Sequence, residues 1–435
     1  MTKRLIAIAV SFALVGSLFV GCGQKAAAPA EEPKKEAAAA ETKKEEKKEE
    51  KKVAGKLLWS SHRTDFQTTV LPEYIKEFNQ QFPDVKIEIE TYKDYYDTMK
   101  VKMSSNDMPD IWTTAGDKFT REQRQAASVD VSDIAKDYQG TDLFQGADNK
   151  VYGIPTGMSA TAVVYNKKLF KELGIEVPKT LDEFIAAGKK IKAAGKVGLA
   201  TAAKAKWPLS NYWFATPDTI AGEIDIKNKY ANEDEPFNPD NALVKSYMLL
   251  KKFKDEGILE KDPVSADWEP MKKEFRAGNV GMFYLGNWFI PQAIGEALKT
   301  EDVGFFPLPY DNDPNTNCVA MGPDVGWAMG KNSKAPEAQK AFYTWLVDTK
   351  HVDWANKTGL LPAKNGAKAD AAWVTEFNSF NPKPLTGKGD TKELNDIVNK
   401  VQFDNMAFAQ DILAGKDLNK MFADLNAKWK KARGK

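Results

Sequence analysis

A chain of 435 residues with 42% hydrophobic and 11% aromatic content holds apolar material for more than one ordinary core, so two domains are expected. Its 62 lysines and arginines nearly cancel its 61 aspartates and glutamates, so no long-range field favours nucleic acid or an anionic bilayer as main partner. The only two cysteines, Cys22 and Cys318, exclude a disulfide framework and any multi-cysteine metal site, and neither a cofactor nor a metal is expected.

In chain order, Lys3 and Arg4 precede a nearly uninterrupted apolar run from Leu5 to Phe19. Its length suits the export machinery and is too short for a comfortable transmembrane span. The run ends at Val20-Gly21-Cys22, which resembles the lipobox of bacterial lipoproteins, with Phe19 where leucine is preferred. That resemblance implies a signal peptide over 1–21 and a lipid on Cys22 as the mature first residue; an ordinary signal peptide cut near Gly21 is the alternative. Residues 22–55 then form a charged tether. From Gly23 to Gly55 the segment has no aromatic residue and is rich in Ala, Glu, Lys and Pro, so it cannot bury enough apolar area to offset its ordering entropy. Its KKEE repeat over Lys43 to Lys52 sets like charges at i and i+4, which opposes a persistent helix.

Lys56 to Trp59 reads as a short strand, followed by a polar loop, Ser60 to Asp65. An amphipathic helix follows, with Val70, Leu71, Tyr74, Ile75, Phe78 and Phe82 at helical spacing, Pro72 in its first turn and Pro83 ending it. Val85, Ile87 and Ile89 alternate as in a strand, and Asp110 to Thr114 gives another that ends in the polar loop Ala115 to Lys118. Alternating strands and helices indicate α/β layering with parallel strands, whose ligands collect beyond the carboxyl ends of the strands. Both polar loops are therefore candidate sites. Farther on, Thr180 and Glu183 are spaced as a capping box, Val280 to Leu285 reads as a strand leading into Gly286-Asn287-Trp288, and Glu337 to Val347, Leu394 to Leu413 and Leu418 to Ala432 read as helices. Trp345, Trp373 and Trp429 fall on helical patterns and are expected to be structural.

These landmarks together resemble the extracellular solute-binding family (family 1) of ATP-binding-cassette (ABC) importers, in the branch of maltose- and oligosaccharide-binding lipoproteins. The resemblance rests on Pro109-Asp-Ile111, Tyr152-Gly-Ile-Pro155, Tyr165-Asn-Lys-Lys-Leu-Phe170, Pro178-Lys-Thr-Leu-Asp-Glu-Phe184, Phe275-Arg-Ala-Gly-Asn-Val-Gly-Met282, Gly326-Trp-Ala-Met329 and Gly359-Leu-Leu-Pro362, in order along the chain. It implies a two-lobed α/β periplasmic-binding-protein fold of the Venus-flytrap type, with an interlobe cleft and a hinge crossed three times. Lobe one would be 56–158 with 328–376, and lobe two 159–327 with 377–435. It further implies no enzyme but a binding component that captures a carbohydrate, an oligosaccharide by preference, closes, and delivers it to the transmembrane subunits of an ABC permease. Such proteins are usually monomers, held by their lipid at the outer face of the cytoplasmic membrane or as periplasmic lipoproteins.

A sugar offers hydroxyls beside apolar C–H faces, so its site needs flat aromatic rings together with carboxylates, amides and cationic donors. His62, Arg63 and Asp65 follow the first strand, and Trp112, Thr114, Asp117 and Lys118 surround the second polar loop, where the relatives set an aromatic residue and an acidic-basic pair against the sugar. Ser159 stands at a position that is acidic in the maltose-binding branch. Asn287 and Trp288 lie at a strand-to-helix junction from which a ring can project into a cleft. By the resemblance, Trp207 and Trp213 match the other stacking region, Asp324 and Trp327 flank the second hinge crossing, and Phe403 and Asp404 reach the cleft. Competing classes are an exported glycoside hydrolase, a surface adhesin, and a binding protein for a non-sugar solute such as a polyamine. With only His62 and His351 and neither a Gly-x-Ser-x-Gly elbow nor a His-Glu-x-x-His motif, the enzyme has little support.

Overall fold

The computed structural model describes residues 53–434 apart from Asp117 and Lys388. Cys22, the signal peptide and the tether up to Lys52 lie outside the described residues, and so does the candidate Asp117. The strands in chain order are β1 (Gly55–Ser61), β2 (Val85–Thr91), β3 (Ile111–Thr114), β4 (Ile154–Pro155), β5 (Met158–Asn166), β6 (Val197–Ala200), β7 (Val280–Gly286), β8 (Val303–Phe306), β9 (Cys318–Pro323), β10 (Gly326–Met329) and β11 (Lys383–Thr386).

They form two sheets. The first has the order β2-β1-β3-β10-β4; the second runs β11-β9-β5-β7-β6, with β8 also paired to β5. Strands β1, β2 and β3 are parallel, as the alternating pattern predicts. The mixed character enters with β10, which returns from the second sheet and lies antiparallel to β3 and β4. In the second sheet β5 is antiparallel to β7, β8 and β9.

Each sheet has its own core. Helix Val70–Gln81 lays Val70, Leu71, Tyr74 and Phe78 on the first sheet, with Trp59, Trp327, Phe342 and Trp345. Thr180 and Glu183 make the expected capping box: the threonine hydroxyl accepts from the Glu183 amide at 3.3 Å and the Glu183 carboxylate accepts from the Thr180 amide at 3.2 Å. Trp345, Trp373 and Trp429 are buried, as helical patterning implies. The long run Leu394 to Leu413 instead forms two helices, Lys392–Val401 and Asn405–Leu413, because Gln402 adopts a left-handed conformation (φ 54°) and Asp404 caps a new start. The lobe boundaries also move. Trp327 and Gly326 belong to the first sheet, and helix Ala372–Ser379 packs Trp373 and Phe377 on Phe305 of the second, at ring distances of 5.6 and 4.9 Å.

The chain passes between the sheets at 156–158, 323–325 and 360–371. These passages are bound to one another: the Thr156 amide donates to Val325 at 2.8 Å, the Asp324 amide to Gly157 at 3.1 Å, and Met158 and Leu361 exchange bonds of 2.7 and 3.0 Å. Glycine is required beside them. A Cβ on Gly157 would meet Leu360 Cβ at 2.7 Å, and one on Gly359 (φ +73°) would meet Pro291 Cδ at 2.5 Å. His351, fully buried, secures the third passage by accepting the amides of Ala363 (2.8 Å) and Lys364 (3.2 Å) on Nε2.

Burial, reinforced by Lys364 and opposed by Asp348, lowers the His351 pKa to about 4, and burial lowers that of His62 to about 3. A histidine whose folded pKa lies below its unfolded value near 6.5 contributes stability in full above pH 6.5 and loses it as pH falls through the folded value. Denaturant unfolding should therefore show stability declining as pH drops from 6.5 towards 4, and His351→Gln should flatten that decline.

Candidate functional site

A cavity of about 510 Å³ opens between the two lobes. One wall is the turn after β1, with Arg63, Asp65 and Phe66, joined by Lys357; the other is the start of helix Trp268–Arg276 with Pro291 and Gln292. A smaller cavity of about 240 Å³ beside Met103, Met108 and Lys331 involves none of the candidate residues.

On the first wall, Arg63 grips Asp65 with two parallel bonds of 2.8 and 2.6 Å, and its guanidinium lies 3.7 Å above the Phe66 ring. Partial burial pushes the Asp65 carboxyl up, but the Arg63 hydrogen bond and charge outweigh it and hold the group below its ordinary range. His62 sits between Tyr95, edge-on at 6.2 Å, and Tyr96, stacked at 6.5 Å, with Nδ1 3.4 Å from Thr113 Oγ1. Its depressed pKa keeps it neutral at pH 7, able both to donate and to accept.

On the second wall, Trp268 lines the cavity and forms a triangle with Trp207 and Trp288 behind it, with ring centroids 4.7, 5.5 and 6.1 Å apart, all steeply tilted. Trp207 is 36% exposed and the other two are partly buried. Trp288 follows β7 as expected, and Gly286 is needed beneath it: a Cβ there would meet its Nε1 at 2.2 Å. Lys272 lies 5.4 Å from the Trp268 ring and pairs with Glu269 at 2.8 Å, while Lys357 pairs with Asp353 at 2.8 Å. The cavity thus sets the Trp268 indole beside charges of which Arg63, Lys272 and Lys357 are matched locally.

Several predicted site residues take other places. Trp112 and Trp327 are fully buried in the first lobe, against Phe119 (5.3 Å) and Trp354 (5.0 Å). Trp213 and Phe403 pack on each other at 5.1 Å in the second core. Asp404 accepts the amides of Met406 and Ala407 as a helix cap, with Lys206 3.9 Å away. Asn287 is fully buried, accepting from the Ala160 amide at 2.8 Å and donating to the Met158 carbonyl at 3.4 Å. Trp112, Trp327 and Asn287 turn inward because each strand end supplies inward as well as outward positions, whereas Trp213, Phe403 and Asp404 lie on or between helices of the second lobe. Thr114 is buried, with no partner for Oγ1 among the described residues, Lys118 is exposed, and half-buried Ser159 and Asp324 sit at the hinge ends of β5 and β9. Trp268, with Lys272, Lys357 and Phe66, is not marked by sequence pattern as a site residue. The one signal for Trp268 is a tryptophan directly after an aspartate helix cap, Asp267, whose carboxylate accepts the Trp268 amide at 2.9 Å.

Asn287→Ala would leave the Ala160 amide buried without its acceptor, at a cost of about 1–3 kcal/mol. Denaturant titration should show a loss of that size, which identifies Asn287 as a pin between β7 and β5.

Against known proteins, residues 66–352 match the model of the bacterial extracellular solute-binding protein family. The multiple sugar-binding protein of Streptococcus mutans is 24% identical over 64% of this chain and 67% of its own length. The melibiose/raffinose/stachyose-binding protein of Bacillus subtilis is 22% identical over 83% of this chain and 87% of its own. Among solved structures, a manno-oligosaccharide-specific solute-binding protein of Bifidobacterium animalis subsp. lactis, in complex with mannotriose, superposes with a TM-score of 0.75 at 24% identity, over 88% of this chain and 95% of that one. The two-lobed fold, its bound hinge passages and a family match covering most of the described body agree: this chain belongs to the bacterial extracellular solute-binding protein family.

Proposed function

We propose that the protein is the carbohydrate-binding component of an ABC importer, capturing an oligosaccharide between its lobes by hinge closure and presenting it to the permease. The observation that carries this reading is Trp268 on the wall of an interlobe cavity, with Trp207 and Trp288 packed against it, where Arg63, Lys272 and Lys357 each already hold a carboxylate. Indole faces suit the apolar side of a sugar ring, and paired charges present hydrogen-bonding edges with little net field. A polyamine would call for unpaired carboxylates instead. The sugar specificities of the relatives support the same class. The site serves binding without turnover.

Isothermal titration calorimetry against raffinose, stachyose, mannotriose and diacetylchitobiose, with spermidine as control, tests the reading. Binding of at least one saccharide is expected; heat from spermidine alone would sink it. For the saccharide bound most tightly, Trp268→Ala and Trp288→Ala should each raise Kd about tenfold, equivalent to about 1.4 kcal/mol, with little change in the melting temperature.

Export and anchoring belong to the same proposal. The basic start, the apolar run and Cys22 support a lipid-modified N-terminus, with the charged segment behind it as a spacer. In cells, Cys22→Ser should move the protein from the detergent-rich phase to the aqueous phase on Triton X-114 partition; unchanged partition would remove the lipid from the reading.

A further inference from the structure

Six residues, 201–206, connect β6 to Trp207, and their path is contorted. Ala202 (φ 49°, ψ 43°) and Lys206 (φ 64°, ψ −53°) both take positive φ. Such conformations are unfavourable in a residue with a side chain and persist where the surroundings over-determine them. The surroundings here centre on one carboxylate. Glu260, 6% exposed, accepts the Thr201 amide on both oxygens at 3.0 Å, the Thr201 hydroxyl at 2.7 Å and the Ala202 amide at 2.9 Å. Among the described residues these partners are all neutral donors of the same loop.

The strand-like segment of Glu260 runs beside β6, where the Leu199 amide donates to Ile258 at 2.9 Å. Farther along that segment, the Ala266 carbonyl accepts the Lys204 amide at 3.0 Å, and Asp267 pairs with Lys204 at 3.1 Å while capping the helix that begins with Trp268. Trp207 and Trp268 are thus referenced to the same stretch, 260–268, one through the kinked loop and the other directly.

We propose that Glu260 is a positioning residue for the ligand platform: its carboxylate fixes the kinked loop 201–206 and so sets Trp207 against Trp268 and Trp288. Its meaning for binding rests on the carbohydrate reading above; the placement itself is open to test without ligand. A glutamine at 260 would turn one acceptor oxygen into a donor facing the Thr201 amide, which both carboxylate oxygens now hold.

The test is near-ultraviolet circular dichroism of the ligand-free protein, because indoles with centroids 4.7 Å apart couple. The Trp207-dependent band is the difference between spectra with and without W207F, recorded in the native and E260Q backgrounds, with thermal unfolding of each. Retained cooperative unfolding with loss of the band in E260Q is expected. A folded E260Q with the band unchanged overturns the proposal. Should E260Q fail to fold, T201V, which removes the 2.7 Å hydroxyl contact alone, decides: a weakened band supports the proposal and an unchanged one overturns it. A protein that binds no saccharide yet passes this test would refute the carbohydrate reading and leave the role of Glu260 standing.

Discussion

Backbone hydrogen bonds between Thr156 and Val325, Asp324 and Gly157, and Met158 and Leu361 join the three interlobe passages into one narrow strip, on which the placement of both cavity walls depends. A passage of this kind must keep its amides and carbonyls paired while allowing rotation, and pairing among the passages themselves does so without side chains that closure would disturb. The requirement for glycine at 157 and 359 follows from that closeness, since a side chain at either would push the passages or the neighbouring Pro291 segment apart. Asn287 and His351 then fix the strip to the second and first lobes respectively.

From this strip the chemistry of the cavity follows. The turn after β1 is folded on itself by the Arg63–Asp65 pair over Phe66, so it presents the rim of a closed ion pair. Opposite it, Trp268 lines the wall with Lys272 beside its ring, and Trp207 and Trp288 rest against it. Partly exposed pairs of this kind add little to stability. Their value here is orientation, because each holds a donor or acceptor array at the edge of an aromatic surface. Beside this turn, His62 lies neutral between two tyrosines and adds no charge.

Much of this architecture is legible in local sequence pattern. The helix Val70–Gln81, strands β1 to β3 and β7, the capping box at Thr180 and the structural role of Trp345, Trp373 and Trp429 are all marked by the spacing of neighbouring residues. Trp207 and Trp288 stand out in the sequence as ring-bearing positions near strand or loop ends, and the folded chain brings their ring centroids to 5.5 Å. Trp112 and Trp327 stand out on similar grounds and lie in cores, because a tryptophan beside a strand end looks the same in sequence whichever face it occupies, and Trp213, on a short helix, is core as well. Trp268 is not marked in this way, since its partners, Trp207 and Trp288, are distant in the chain.

The sequence by itself determined the periodicities, the caps and the ordered landmarks of the family, since each of these is written in neighbouring residues. Tertiary structure alone decided that Trp268 lines the cavity with Trp207 and Trp288 packed on it, that Arg63 and Asp65 are spent on each other beside Phe66, that helix Ala372–Ser379 sides with the second lobe, and that a buried glutamate bends the approach to Trp207. Those outcomes depend on which faces of distant segments meet, and burial, pairing and strain arise only once they do.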